Sequence, residues 1–201
     1  TAQVSLGGGD VYLVDFNKTI ATGNHDFKIA SNWKHIVGKY SDSYGDEYFM
    51  TYSYRADGGL DGTGALYASR QEAGDNWSSC KVNDLLVTPL VSGVITLKVK
   101  ASNASYSYPS FVEIYKINED GTQGDLIQKF TEDEGYSAFE GDAAWKQISL
   151  TLDEEQRIGI RAQKVIMDDF TAEHVTLIPE KSLAVTGVMN PDKQNGSTGT
   201  N

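Results

Sequence analysis

The stretch Gly93-Val-Ile-Thr-Leu-Lys-Val-Lys-Ala101 decides the fold class: Ile95, Leu97, Val99 and Ala101 alternate with Thr96, Lys98 and Lys100. Successive side chains of an extended strand point to opposite faces, so this pattern buries one face and wets the other. Trp145 to Leu152 repeats the alternation, with Ile148, Leu150 and Leu152 set against Gln147, Ser149 and Thr151. Ile158 and Ile160 do the same beside Arg157 and Arg161. Further β-patterned runs are Val11 to Phe16, Glu47 to Tyr54, Gly64 to Ser69, Asp84 to Thr88, Phe111 to Ile117, Leu126 to Phe130 and Phe170 to Ile178. No stretch has a convincing 3.6-residue period. The expected fold is all-β, an antiparallel β-sandwich.

Turn chemistry agrees. Asn118-Glu-Asp-Gly121 supplies the Asp-Gly pair that tolerates positive φ, which predicts a hairpin. Asp57-Gly-Gly-Leu-Asp-Gly-Thr-Gly64 is a glycine-dense loop with two carboxylates, set just before a strand. Near the end, Phe170 and Ala172 share one parity while Val175 and Leu177 share the other, which predicts a bulge near Glu173. One domain is expected over residues 1–180. Composition changes at about Pro179, and Asn190 to Asn201 is Asn, Gly, Ser and Thr without an apolar anchor. Residues 181–201 therefore read as a linker or the start of a following domain, with neighbouring domains expected in the same polypeptide. The start at Thr1 reads as a processed or trimmed product.

Charge narrows the partners. Seventeen Lys and Arg against 28 Asp and Glu give a net charge of -11, a field that repels nucleic-acid phosphates and anionic membrane surfaces. The single Cys80 has no partner for an internal disulfide, and no apolar run is long enough for a transmembrane helix. Catalytic signatures are missing too: no Gly-x-Ser-x-Gly elbow, no His-Glu-x-x-His and no phosphate loop occur, and His25, His35 and His174 are scattered. The expectation is a protein that is not an enzyme.

Four short motifs occur in a telling order: Asp15-Phe16, then Asp84-Leu-Leu-Val-Thr-Pro89, then Ile158-Gly-Ile-Arg-Ala162, then Met167-Asp-Asp-Phe170. Over roughly Asp10 to Ile178 this resembles the cleaved-adhesin or choice-of-anchor J group, jelly-roll domains of bacterial surface proteins, particularly in Bacteroidetes. These are related in architecture to carbohydrate-binding modules and to the MAM domain. The resemblance implies a jelly roll and export to the cell surface or beyond. This chain departs from the pattern where Leu85 or Leu86 replaces the usual Trp, at Asn17, and in a tyrosine-rich insertion among the first hundred residues.

Two sets of residues are candidates for chemistry. Asp15, Asn17, Asp57, Asp61 and Asp168 sit at strand ends or in the glycine-rich loop and offer hard oxygen ligands, so a structural calcium ion is expected there. The alternative is that they are solvated turn carboxylates, with one Asp accepting from loop amides. Asp168 and Asp169 point to opposite faces of a regular strand, so both can ligate only across a bulge. Among the aromatics, Trp33, Trp77, Tyr106 and Tyr108 lie in polar, loop-like contexts suited to stacking on sugar rings, whereas Trp145, Phe111 and Phe170 read as core or rim residues. The expected partner is a glycan or a surface protein. The competing functions are a glycan-binding module, a protein-binding adhesin or spacer, and an accessory domain of a larger secreted hydrolase.

Overall fold

The computed structural model describes residues 4–5, 11–17, 20–21, 27–41, 47–49, 52–69, 84–102, 109–130 and 144–179. Its strands are β1 (Val4–Ser5), β2 (Tyr12–Val14), β3 (Ile20–Ala21), β4 (Phe27–Lys28), β5 (Lys34–Ile36), β6 (Lys39–Ser41), β7 (Glu47–Phe49) and β8 (Tyr52–Arg55). They continue with β9 (Ala65–Ala68), β10 (Leu85–Val87), β11 (Leu90–Ala101), β12 (Phe111–Ile117), β13 (Gln123–Phe130), β14 (Lys146–Gln156), β15 (Ile158–Gln163) and β16 (Val165–Leu177). The stretch that decided the fold class lies within β11, an interior strand, and Val91, Ile95, Leu97, Val99 and Ala101 are all buried as its alternation requires.

Two antiparallel sheets carry the fold. One runs β14-β11-β16-β9-β8, with β1 and β2 also pairing with β16; the other runs β13-β12-β15-β10-β5. The last eight strands make a jelly roll, with β9-β16-β11-β14 facing β10-β15-β12-β13. The chain changes sheet at every connection from β9 to β16 except the β12–β13 hairpin, which the Asn118–Gly121 turn forms with Gly121 at φ 85°. No helix among the described residues is long and apolar enough to cross a membrane.

The expected strand Glu47 to Tyr54 is instead two strands: β7 pairs with β6, and β8 pairs with β9. The bulge expected near Glu173 is present, but the extra residue lies on the partner strand. Ser92 pairs with His174 and Ile95 with Ala172, three steps on β11 against two on β16. Gly93, at φ 76°, takes up the extra length, and the Val94 N–H donates to Glu173 Oε2 at 3.0 Å. A side chain at Gly93 would run into Glu173. A second slip, two steps on β11 against three on β16, falls at Asp168 and Asp169, where Asp169 has φ 44°.

Buried polar groups tie the layers together. Tyr52 is fully buried on β8; its hydroxyl donates to the Ile160 carbonyl at 2.7 Å and accepts from the Ala162 N–H at 3.0 Å, both on β15 of the opposite sheet. Thr88 is paired with Ile158 through its backbone N–H, and its hydroxyl oxygen accepts from the Ile158 N–H at 3.2 Å. His35 Nε2 lies 2.6 Å from Asp84 Oδ1, which also accepts from the Gly38 N–H at 3.2 Å. Both ends of the Asp84-to-Pro89 motif are thus buried anchors whose polar atoms are satisfied inside the sandwich.

Candidate functional site

The site expected to hold calcium assembles around the slip at Asp168 and Asp169. Here β16 exchanges one neighbour for another: residues 165–167 pair with β9 and residues 170–172 with β2. The loop between β8 and β9 lies alongside the changeover. Its Leu60–Gly62 segment is a short 3-10 turn, with Asp61 at φ 58°. Asp168 holds this loop down: Oδ2 accepts the Leu60 N–H at 2.8 Å and Oδ1 accepts the Asp169 N–H at 2.8 Å. Gly59 leaves no space for a side chain against Asp168 Oδ2. On the other side of the loop, Asn17 Oδ1 accepts the Gly64 N–H at 2.6 Å, while Asp15 Oδ1 accepts the Asn17 N–H at 3.1 Å.

The structure therefore brings Asp15, Asn17 and Asp168 to the loop that carries Asp57 and Asp61, but it points their oxygens at backbone donors. Calcium takes about six to eight oxygen ligands. Among the described residues no three His, Cys, Asp or Glu side chains are grouped to hold a metal ion, and the hydrogen bonds that the cluster makes go to backbone amides. It acts as a loop latch. The bulge re-aims Asp169 away from its neighbour, so that Oδ2 meets Lys98 Nζ at 2.7 Å on the outer face.

Burial raises the pKa of Asp168, and the nearby charges of Asp169 and Asp15 add to that, against the opposing hydrogen bonds from Leu60 and Asp169. The folded state therefore holds this proton more tightly than the unfolded chain. Taken alone, the group gains the protein stability as pH falls from the raised folded value toward the ordinary 3.8. Replacing Asp168 with alanine is expected to cost about 1–3 kcal/mol by orphaning loop amides. The thermal midpoint of the wild-type protein is expected to be the same in calcium and in EDTA. A rise with calcium would show that the latch closes on an ion.

The sugar-stacking role expected of Trp33 is corrected by its burial. Its ring is 9% exposed and sits edge-on between Phe16 and Phe170, with centroids 6.0 and 5.0 Å away, and Nε1 donates to the Tyr12 hydroxyl at 2.9 Å. The polar neighbours Ser31, Asn32 and Lys34 made the segment read as a surface loop, whereas the ring closes the core. Trp77, Tyr106, Tyr108, Cys80 and residues 180–201 lie outside the described residues. Phe170 is a core residue as expected, and Phe111 is buried on the outer face of the second sheet, beneath Lys129 and Arg161.

Trp145 is expected in the core or at its rim. It begins an alternating strand, but with the parity of Gln147, Ser149 and Thr151, so it lies on the outer face of the first sheet. There it packs half-buried against a satellite cluster of Ala65, Tyr67 and Ile166. Register places these groups in a line across four strands. Tyr67 of β9 pairs with Ile166 of β16, Ile166 pairs with Lys100 of β11, and Val99 pairs with Lys146, which sets Trp145 opposite Lys100. At about 4.8 Å per strand the strip spans about 14 Å. Arg55 lies over the Tyr67 ring, its guanidinium carbon 3.9 Å from the centroid. The parity of Trp145 was legible in the sequence; which sheet face its parity selects was not.

A cleft of about 560 Å³ opens at the sandwich end between the β12–β13 and β14–β15 turns and is lined by Lys116, Glu119, Glu154, Glu155 and Arg157 among others. Its charges are partly engaged: Arg157 donates to the Asn32 and Thr88 carbonyls, and Glu155 accepts from Thr176.

No family profile matches the chain, and neither does any curated relative. Among solved structures, it is similar to the K3 cleaved adhesin domain of Lys-gingipain from Porphyromonas gingivalis w83, with 16% identity, a TM-score of 0.48, and coverage of 85% of this chain and 98% of that one. The K2 cleaved adhesin domain of Lys-gingipain has 12% identity and a TM-score of 0.49, with 81% and 97% covered. The CBM22-1 xylan-binding domain of Paenibacillus barcinonensis Xyn10C has 11% identity and a TM-score of 0.40, with 86% and 97% covered.

Proposed function

We propose that this chain is a non-catalytic recognition domain, working outside the cell or at its surface, that binds a glycan along the strip from Tyr67 to Trp145. The observation that carries this reading is the strip itself: a half-buried indole at one end and, at the other, the Arg55 guanidinium stacked over the buried Tyr67 ring, in register on the outer face of the sheet. An aromatic face packs on the apolar C–H face of a sugar ring, and flanking polar groups bond its hydroxyls.

Affinity electrophoresis through a panel of plant and host polysaccharides tests it. Retardation by at least one polymer is expected, lost in Trp145→Ala and kept in Trp33→Phe, with intrinsic fluorescence changing on binding. Absence of retardation by every polymer, or retardation unchanged in Trp145→Ala, would reject the site.

A second reading, a protein-binding adhesin or spacer domain, draws on the same sheet. Val11, Leu13 and Val94 are 60%, 54% and 44% exposed, and Leu13 pairs with Thr171 on the outer face. These apolar groups lie further along the same face, past the Lys98–Asp169 pair. A charge introduced at Leu13, as in Leu13→Glu, separates the two readings, since it is expected to leave polysaccharide retention unchanged.

A further inference from the structure

We infer that the strip selects an anionic glycan, a chain bearing repeated carboxylate or sulfate groups; this rests on the glycan reading above. Tyr67 is only 8% exposed, so at that end of the strip the group on offer is the guanidinium of Arg55 stacked over the ring. Stacking uses one face of the guanidinium and leaves its planar N–H edge free for the bidentate geometry that carboxylate and sulfate match. Two strands away, Lys100 presents a second cation. Neither Arg55 nor Lys100 takes part in an ion pair among the described residues, in contrast to Lys98, which is held by Asp169.

Two cations left in this state are informative on a chain with a net charge of -11. Of the carboxylates on this side of the described structure, Asp169 is held by Lys98, and Asp57 and Asp61 lie on the loop between β8 and β9. At about 0.1 M salt the screening length is about 10 Å, so the remaining carboxylates of the protein act weakly on a ligand in direct contact with Arg55 and Lys100. Spacing points to a polymer instead of a small anion. The backbones of β9 and β11 stand about 10 Å apart, and the stack on Tyr67 holds Arg55 at its own end. A chain carrying charges at intervals reaches both cations while a sugar ring lies on Trp145, one strand beyond Lys100.

The test compares polymers that share a backbone and differ in charge: polygalacturonate with its fully methyl-esterified form, and dextran sulfate with dextran. The wild-type protein is expected to bind the charged member of at least one pair about tenfold more tightly at 0.1 M salt, the size of one or two charge-assisted hydrogen bonds. Which pair discriminates identifies carboxylate or sulfate. Arg55→Gln and Lys100→Gln are each expected to remove most of that preference with an unchanged thermal midpoint, and Arg55→Lys is expected not to restore it. Equal binding to charged and neutral members, lost in Trp145→Ala, would overturn the charge assignment and leave the glycan site standing. No binding to any of the four, with retardation by other polymers also absent, would overturn both.

Discussion

Replacing Glu113 with alanine is expected to lower the free energy of unfolding by about 3–5 kcal/mol, more than any single surface change. Glu113 lies on β12 with 7% of its side chain exposed, and its Oε2 accepts from Arg161 Nη1 at 2.7 Å, the arginine side chain being 3% exposed. Lys129 Nζ sits 3.0 Å from Oε1, and the Tyr115 hydroxyl donates to Oε2 at 2.8 Å. Removing the carboxylate takes its 2.7 Å partner from a guanidinium held away from water, and that loss is the source of the cost. The paired change Glu113→Leu with Arg161→Met is expected to recover most of the loss, because two apolar groups need no partner. Urea denaturation of the single and double variants checks this; a double variant as unstable as Glu113→Ala would show that the cluster is held by packing.

The same cluster predicts an acid response. Burial alone would raise the pKa of Glu113, but the hydrogen bonds from Arg161, Lys129 and Tyr115 together outweigh it, and the value lies below the ordinary 4.5. A lowered folded value means that the stabilisation is complete above the unfolded pKa and is lost as pH falls through the folded one. Stability is thus expected to drop below about pH 4.5 in the wild-type protein. Glu113→Gln is expected to flatten that part of the profile. Asp168 works in the opposite direction over its own window, so the Asp168→Asn variant is expected to show the steeper acid loss.

Trp33→Ala is the second large effect, about 3–5 kcal/mol of stability with no change in polysaccharide retention. The indole fills the space between Phe16 and Phe170, and the cavity left behind cannot collapse onto strands held by their sheets. Trp33→Phe keeps the ring but loses the donor to Tyr12. Burial raises the Tyr12 pKa, and the Trp33 hydrogen bond partly opposes this. The phenylalanine variant is therefore expected to fall between the two by about 1–3 kcal/mol. Denaturation melts read with retention on the same polymers decide the matter: a stable Trp33→Ala that no longer binds would return Trp33 to the ligand site.

The contrast between Trp33 and Trp145 shows how far local pattern reaches. Polar neighbours made Trp33 look exposed, and the structure buries it; Trp145, expected in the core or at its rim, is half-buried on the outer face. Neither placement has a local cause, because the ring of Trp33 is covered by Phe170, 137 positions away in the chain, and Trp145 lies against Tyr67 and Ile166 from two other strands. The carboxylate cluster lies between these cases. Its members were identified from strand ends and a glycine-rich loop, and the structure does bring Asp15, Asn17 and Asp168 to that loop. Whether their oxygens face an ion or an amide depends on how the loop sits against the bulge.

Taken by itself, the sequence determined the properties that depend on neighbours a few residues apart. These are the two-residue period of β11, β14 and β15, the Asp-Gly turn between β12 and β13, the parity conflict that demands a slip near Glu173, and a charge unsuited to nucleic acid. Tertiary structure alone decided the order β9-β16-β11-β14 against β10-β15-β12-β13, which strand takes the extra residue at each bulge, and which parity faces water. The physical reason is that a strand's alternation defines two faces without labelling them. The label comes from what the other sheet and the loops place against each face, and those partners are set by pairings between residues scores of positions apart.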